Sequence, residues 1–426
     1  MEIIGNYDVK IFTDNVEDGA IEQINRLLSI GAFSDCKIRI MPDVHAGAGC
    51  VIGFTADLGD KVIPNIVGVD IGCGILVQPF IRLKPLDYHA LNEYIVRTIP
   101  YGRNIRDEKY APLPQKYMER YSEAKGLVRK LRCYRELKDV KRLDKAIGTL
   151  GGGNHFIELD RDDSGLFYLL VHTGSRNLGK QVAQIYQKLA VKCQSGWAEL
   201  MERQNKLINE YKHAGRKDEL QAAIRDLHNS FKMRKPSIPP ELSYLEGQYR
   251  DDYLHDMRLC QRWAQINRQL IVDLIVDFLT EQGYMGAIDG KYSVDRKAFE
   301  SVHNYIGDDN IVRKGAVSAR VGDRFVIPLN MRDGALICLG MGNEEWNFSA
   351  PHGAGRIMSR SQAFEKISLD EFKQSMAGIY SETVTEETID ESPMVYKPKD
   401  EIIQHIQNTV VIENVIKPTF NFKAAE

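Results

Sequence analysis

The 426-residue sequence has no run of about 18 or more apolar residues, so no segment is long enough to cross a bilayer as a helix. Its opening, MEIIGNYDVKIFTD, has neither a basic start nor a small-residue cleavage site, so the expected address is cytoplasmic and no membrane partner is expected. Cysteine is sparse: Cys36, Cys50, Cys73, Cys133, Cys193, Cys260 and Cys338 are odd in number and widely spaced, with no CxxC pair, which excludes a disulfide framework, a zinc knuckle and a dithiol redox site. Neither GxGxxG nor a glycine-rich loop ending in GK[ST] occurs, so the usual dinucleotide and P-loop signatures are absent. Low complexity and internal repeats are missing too. With 43% hydrophobic and 27% charged residues, the chain reads as a globular protein with a sizeable core. A net charge of −3 hides local asymmetry, since residues 115–144 carry ten Lys or Arg against five Asp or Glu.

The hydrophobic pattern alternates between periods. Short β-like runs, KIRIM, VIGFTA and GILVQPF, occupy the first 83 residues, and residues 84–147 read mostly as helix. NHFIELD and LFYLLVHTG are strand-like, and residues 178–280 form a long, charged, helical excursion interrupted by the prolines of KPSIPPELSY. RFVIPL and ALICLG return to strand, HGAGRIMSR reads as the opening of a helix, and VVIENVIKPTFNFK as a closing strand. These alternations predict an α+β chain, with residues 1–426 as one composite domain and the excursion inside it.

Residues that carry chemistry cluster beside glycines. GVDIGCGI sets Asp70 and Cys73 on backbone stripped of side chains, and GGGNH and HGAGR do the same around His155 and His352. His45, His172 and His303 stand in similar small-residue contexts. A thiolate and carboxylate with two or three imidazoles suit a borderline ion such as Zn or Mn better than Mg or Ca, and a bridging thiolate can hold two ions. The plain alternative is a buried β-turn with a core cysteine and a turn-forming aspartate. HGAGRIMSR, with Arg356 and Arg360 spaced one helical turn apart, is laid out for phosphate, and Arg176 and Lys314 add cations beside comparable turns. Metal ligands, bare glycines and arginines together imply a polyphosphate or a nucleic-acid end as substrate.

The series MPDVHAGAGCVIG, VGVDIGCGI, GTLGGGNHFIEL, HTGSRNLG, HN, RKGA and HGAGRIMSRS resembles the RtcB-type RNA ligase family in order and spacing over residues 41–423. The resemblance implies mixed β-sheets around a central metal cleft with peripheral helices. It implies an enzyme that joins an RNA 3′-phosphate or 2′,3′-cyclic phosphate to a 5′-hydroxyl, with GTP and two Mn²⁺ ions. Cys73 would bridge the ions, Asp70 and His155 completing one site and His172 and His303 the other. His352 would take GMP from GTP, with Asp43 and His45 either supporting it or activating the 5′-hydroxyl. Nucleotide contacts would come from Asn154, Phe156, Glu158, Asn304, Asn330, Met331, Gly353, Ala354, Gly355, Arg356, Tyr396 and Lys423, and RNA or triphosphate contacts from Arg176, Lys314 and Arg360. The sequence departs from the family at Leu329–Arg332, where a Gly-Ser-Met-Gly run is common, and at Ala48, where lysine is frequent. The rival expectation is a dinuclear-metal phosphoesterase or cyclic phosphodiesterase without ligation. The physiological RNA, the oligomeric state and any protein activator leave no mark in the sequence.

Overall fold

The computed structural model describes residues 5, 7–286 and 297–424. Two sheets organise the chain. In the larger, the strands run Phe299–Val302, Gly74–Arg82, Phe167–Thr173, Phe156–Arg161, Val410–Lys423, Gly334–Gly340 and Arg324–Asn330, every neighbouring pair antiparallel, with Met285–Gly286 added beside the far end of Gly74–Arg82. In the smaller, the order is Val9–Ile11, Ile38–His45, Ile52–Asp57, Ile311–Lys314 and Tyr305–Ile306. The α+β class expected from the alternating periods is what the chain adopts.

Period-two alternation sends each central strand's side chains into two different interiors. From Phe167–Thr173, residues Phe167, Leu169 and Val171 enter the largest core, whereas Tyr168 and Leu170 join Ile75, Val77, Phe156 and Ile337 on the opposite face. His172 continues the second series. Phe156 and Glu158, on the neighbouring strand, project the same way for the same reason.

The region expected as a helical excursion is helical, but its parts have different roles. Trp197–His213 and Leu220–Ser230 pair with each other on the surface, and of these two helices only Leu200 is buried. The helix Gly247–Glu281, in contrast, packs against strands Phe167–Thr173 and Gly74–Arg82 and belongs to the core. Its stripe of Cys260, Trp263, Ala264, Ile271 and Leu274 includes two buried polar residues, Asn267 and Arg268. Among the described residues no helix is long and apolar enough to cross a membrane.

The helix expected at HGAGRIMSR is not there. His352 follows the short strand Ser349–Pro351, the backbone then turns through Gly355 at φ +77°, and the next helix is Arg360–Lys366. Ser359 supplies the start signal, accepting from the Gln362 backbone amide while the Gln362 side chain returns to the Ser359 backbone. Gly355 cannot carry a side chain, because a Cβ there would lie 2.4 Å from the Asp43 carbonyl oxygen. That close approach sets the His352 loop against the strand Ile38–His45.

Candidate metal centre and adjoining cavity

The loop 68–74 leads into the central strand Gly74–Arg82, and it is pinned from three sides. The Gly72 amide donates to the Asn304 carbonyl at 2.9 Å, the His303 amide to the Cys73 carbonyl at 2.8 Å, and the Cys73 amide to the Asp70 carbonyl at 3.2 Å. Gly72 sits at φ +68° with the backbone of Gln261 so near that an added Cβ would come within 2.7 Å of the Gln261 Cα. Only glycine satisfies both the dihedral and the contact. From the long helix, the buried Arg268 guanidinium donates to the Gly72 carbonyl at 2.8 Å and the Thr173 carbonyl at 2.9 Å, with Glu300 at 3.0 Å as its counter-ion. The loop carrying Asp70 and Cys73 is thus tied to the end of the strand carrying His172.

These ties bring five expected ligands together. Asp70, Cys73 and His155 form one group of convergent donors, and Cys73, His172 and His303 form a second, each with its donor atoms within 4.8 Å of one another. The Cys73 Sγ lies 3.5 Å from His155 Nε2 and 3.3 Å from His172 Nε2. His172 Nε2 is 3.4 Å from His303 Nε2, and His155 Nε2 is 3.0 Å from Asp70 Oδ2. Backbone carbonyls fix two of the tautomers. His155 Nδ1 faces the Leu150 carbonyl at 2.9 Å and His172 Nδ1 the Asn154 carbonyl at 2.9 Å. A carbonyl only accepts, so each Nδ1 must carry the proton and each Nε2 presents a lone pair to the cluster.

Burial governs the charge state of this cluster. It pushes the Cys73 thiol well up, with the Asp70 carboxylate acting in the same direction, and it holds His172 and His303 well below the usual imidazole range, helped by neighbouring cationic and imidazole groups. Burial also opposes ionisation of Asp70, but the adjoining His155 ring, with Arg176 nearby, brings its carboxyl below its ordinary value. The result is a concentration of lone pairs around one shared sulfur. That donor set fits two borderline cations bridged by Cys73, with thiol deprotonation coupled to their binding.

Next to the cluster, the His303 and His352 rings are 4.7 Å apart between centroids. His352 Nδ1 is 2.7 Å from Asp43 Oδ2, and the same oxygen accepts the His352 backbone amide at 3.2 Å. Asp43 is fully buried. The imidazole therefore has its Nδ1–H held by a carboxylate, which leaves Nε2 as the ring nitrogen available for attack. His45 is organised similarly, with Nδ1 on the Asp43 carbonyl at 3.0 Å, and burial lowers its basicity.

His352, His45 and His172 open onto a cavity of about 700 Å³. Of the expected nucleotide contacts, Asn154, Phe156, Glu158, Asn330, Met331, Gly353, Ala354, Gly355, Arg356, Tyr396 and Lys423 line it, as does Arg360. Asn304 does not. Its amide nitrogen donates to the Asp70 carbonyl at 3.3 Å and its amide oxygen accepts from Gly315 at 2.9 Å, so it braces the metal loop. Lys314 does not line the cavity either. Its ammonium is buried and donates to the carbonyls of Ala48, Cys50 and Asn65 at 2.6, 2.9 and 3.2 Å, which uses all three protons inside the protein. Arg176 also lies outside the cavity, at the metal edge, bonded to Thr149 Oγ1 and the Gly102 carbonyl. In the altered Leu329–Arg332 segment, the Asn330 side chain bonds Asp333 and the backbone amides of Arg332 and Asp333, so it closes a tight turn.

One residue central to the cavity escaped sequence reasoning. Glu391, 2% exposed, accepts from Lys423 at 2.7 Å, Tyr396 at 2.6 Å and Arg356 at 3.2 Å. It holds three of the expected contact residues in one network, and the two cations with the tyrosine keep its carboxyl below the usual range despite burial. Its only sequence signal was its position five residues before Tyr396. Arg268 was missed as well, although an arginine within the apolar helical stripe of WAQINRQLIVDLIV marks a buried cation in need of partners.

The chain matches the protein family described as "tRNA-splicing ligase RtcB" over residues 29–424. It is 30% identical to the RNA-splicing ligase RtcB of Escherichia coli (strain K12), with 93% of each chain covered. To the tRNA-splicing ligase RtcB of Archaeoglobus fulgidus it is 25% identical, covering 94% of this chain and 90% of the relative. With a match that takes in nearly the whole sequence and the shared-cysteine cluster at its centre, the chain belongs to the RtcB family of RNA ligases.

Proposed function

We propose that the protein joins an RNA 3′-phosphate or 2′,3′-cyclic phosphate to a 5′-hydroxyl, using GTP and two Mn²⁺ ions, through a guanylate carried on His352. The observation that carries this reading is the Asp43–His352 pair, set between the metal cluster and the cavity with Nδ1 of the imidazole on the carboxylate. Asp70, Cys73 and His155 would hold one ion and Cys73, His172 and His303 the other. When bound, the ions supply positive charge against the phosphates.

In the first step His352 Nε2 attacks the α-phosphorus of GTP. A P–N bond forms, the bond to the β-phosphate oxygen breaks, and pyrophosphate leaves with the electron pair. The ring becomes cationic, and the buried Asp43 carboxylate stabilises it through Nδ1–H. The base would rest in the cavity beside Phe156 and Tyr396, near the Glu391–Lys423 pair and Glu158. A 3′-phosphate oxygen of RNA then attacks the same phosphorus and breaks the P–N bond, which returns His352 to its neutral form and leaves a 3′-diphosphate-linked guanosine. Finally the 5′-hydroxyl attacks the RNA phosphorus and expels GMP. His45, with a free Nε2 and little tendency to stay protonated, is suited to receive the hydroxyl proton.

The test is a joining assay with a 3′-phosphate strand, a 5′-hydroxyl strand, Mn²⁺ and GTP labelled in its α-phosphate. Label on the denatured protein that is acid-labile, that chases into GMP as the joined strand forms and that is lost in His352→Ala is the expected result. Opening of a 2′,3′-cyclic phosphate without any nucleotide uptake, or joining that survives His352→Ala, contradicts the reading.

A further inference from the structure

Cations on the helical side of the molecule fall into two groups. On and beside the helix Met118–Lys130, Lys116 pairs with Asp277 at 2.7 Å, Arg129 with Asp144 at 2.6 Å and Arg120 with Asp273. A second set, Arg103, Lys138, Lys141, Arg142, Lys145 and Lys180, is exposed, and none of its members forms an ion pair among the described residues. The helix Val140–Lys145 buries Leu143 and Asp144 and turns Lys141, Arg142 and Lys145 outward. Asp139, the exposed acid nearest these three in sequence, accepts from the Arg142 backbone amide as the helix cap. Glu136 is the other exposed acid of residues 136–145, and Asp107 and Glu108 are exposed four and five residues after Arg103, so the six cations outnumber the neighbouring exposed acids. Unmatched like charges gathered on one surface repel one another, and a polyanion relieves that repulsion.

The set is tied to the open edge of the metal centre. The Arg142 guanidinium donates to the Arg103 carbonyl at 2.9 Å, and the adjacent Gly102 carbonyl accepts from Arg176 at 2.9 Å. Lys138 is clamped to Gln181, its amide donating at 2.7 Å and its carbonyl accepting at 3.1 Å, on the helix that begins at Arg176. Arg176 stands beside Asp70, whose side chain is 28% exposed against 5% for that of His155, and Cys73, His172 and His303 are buried. The centre therefore opens to solvent at Asp70, and the cationic rim begins there. The cavity lined by His352 lies on the His172 side.

We infer that this rim is a track for the phosphodiester backbone of substrate RNA, leading a strand toward the Asp70 edge while nucleotide occupies the cavity on the other side. The inference rests on the proposed RNA-joining function and adds the path by which the polymer reaches it. A backbone with one charge per nucleotide matches several unpaired cations in series, and the contacts carry no base selectivity.

The experiment measures binding of a fluorescent single-stranded RNA with a 3′-phosphate to the full-length protein at several salt concentrations. Replacing Lys138, Lys141 and Lys145 together by Gln is expected to reduce the slope of log affinity against log salt by about 2, from roughly 0.7 per phosphate contact, and to weaken binding on the order of a hundredfold at about 0.1 M salt. Lys206→Gln with Lys212→Gln, on the remote helical pair, leaves both quantities unchanged, and thermal melting of each variant establishes that it is folded. A folded triple variant that keeps the parental slope and affinity overturns the inference, as does one that loses binding to polyglutamate but not to RNA. His352 labelling of the parent protein needs no RNA, so it reports on the proposed chemistry separately from this surface.

Discussion

Replacing Asp43 by Asn tests the role of the buried carboxylate with little change in shape. Asp43 Oδ2 accepts both the His352 ring proton at 2.7 Å and the His352 backbone amide at 3.2 Å, in a fully buried position. A hydrogen bond to a charged group is worth about 1.5–3 kcal/mol, so losing it when the ring becomes cationic costs a factor of roughly 10 to 150 in rate. The introduced amide also offers a donor to Nδ1. If its NH₂ group faces the ring, the imidazole proton moves to Nε2 and removes the lone pair that must attack. Both effects together place the loss in single-turnover guanylate uptake at about 10²–10⁴-fold. Asp43 Oδ1 has no hydrogen-bond partner among the described residues, so whichever way the amide turns one group is mismatched, at a stability cost of about 1–2 kcal/mol. The assay is transfer of α-phosphate label from GTP to protein at saturating nucleotide, with melting followed in parallel. Labelling within about threefold of the parent rate in a folded Asp43→Asn protein refutes the reasoning.

Two further predictions concern the walls of the site. Burial raises the Glu158 carboxyl to about 7, opposed by its hydrogen bonds and by Lys423, so the folded state holds this proton more tightly than the unfolded chain does. Its stabilising contribution is complete below the unfolded carboxyl pKa near 4.5 and is lost as pH rises through about 7. Glu158→Gln should therefore gain stability over the parent at pH 8 relative to pH 4, by up to about 3 kcal/mol; pH-independent spacing of the two melting curves contradicts this. Arg268→Met removes the donor to the Gly72 and Thr173 carbonyls and leaves Glu300 with Gln265 but without its counter-ion, which should cost about 3 kcal/mol in stability and 10–100-fold in metal affinity, measured by melting and metal titration. An unchanged metal affinity in that variant would remove Arg268 from the support of the loop.

What is legible in the sequence is whatever chemistry and periodicity encode locally. The short apolar runs GILVQPF and LFYLLVHTG give strands, and the glycines around Asp70, Cys73 and His155 mark backbone that comes close to other backbone. HGAGRIMSR misleads because its glycines and arginines suit a phosphate-binding helix start, whereas the helix signal, Ser359 with Gln362, lies seven residues beyond His352. Lys314 shows a placement that the sequence does not convey. Its burial depends on three carbonyls from residues 48, 50 and 65, which no local pattern reveals. Glu391 is invisible for the same reason: its partners Arg356 and Lys423 are separated from it by 35 and 32 positions.

The proposed chemistry stands on one sulfur atom serving two cations. A crystal of the protein grown with manganese, with the ions located by their anomalous scattering, tests this most directly. Two peaks flanking the Cys73 sulfur, one reached by Asp70 and His155 and the other by His172 and His303, are the predicted result. A metal-saturated protein whose Cys73 sulfur contacts no ion, or whose single ion leaves either ligand group empty, would contradict it.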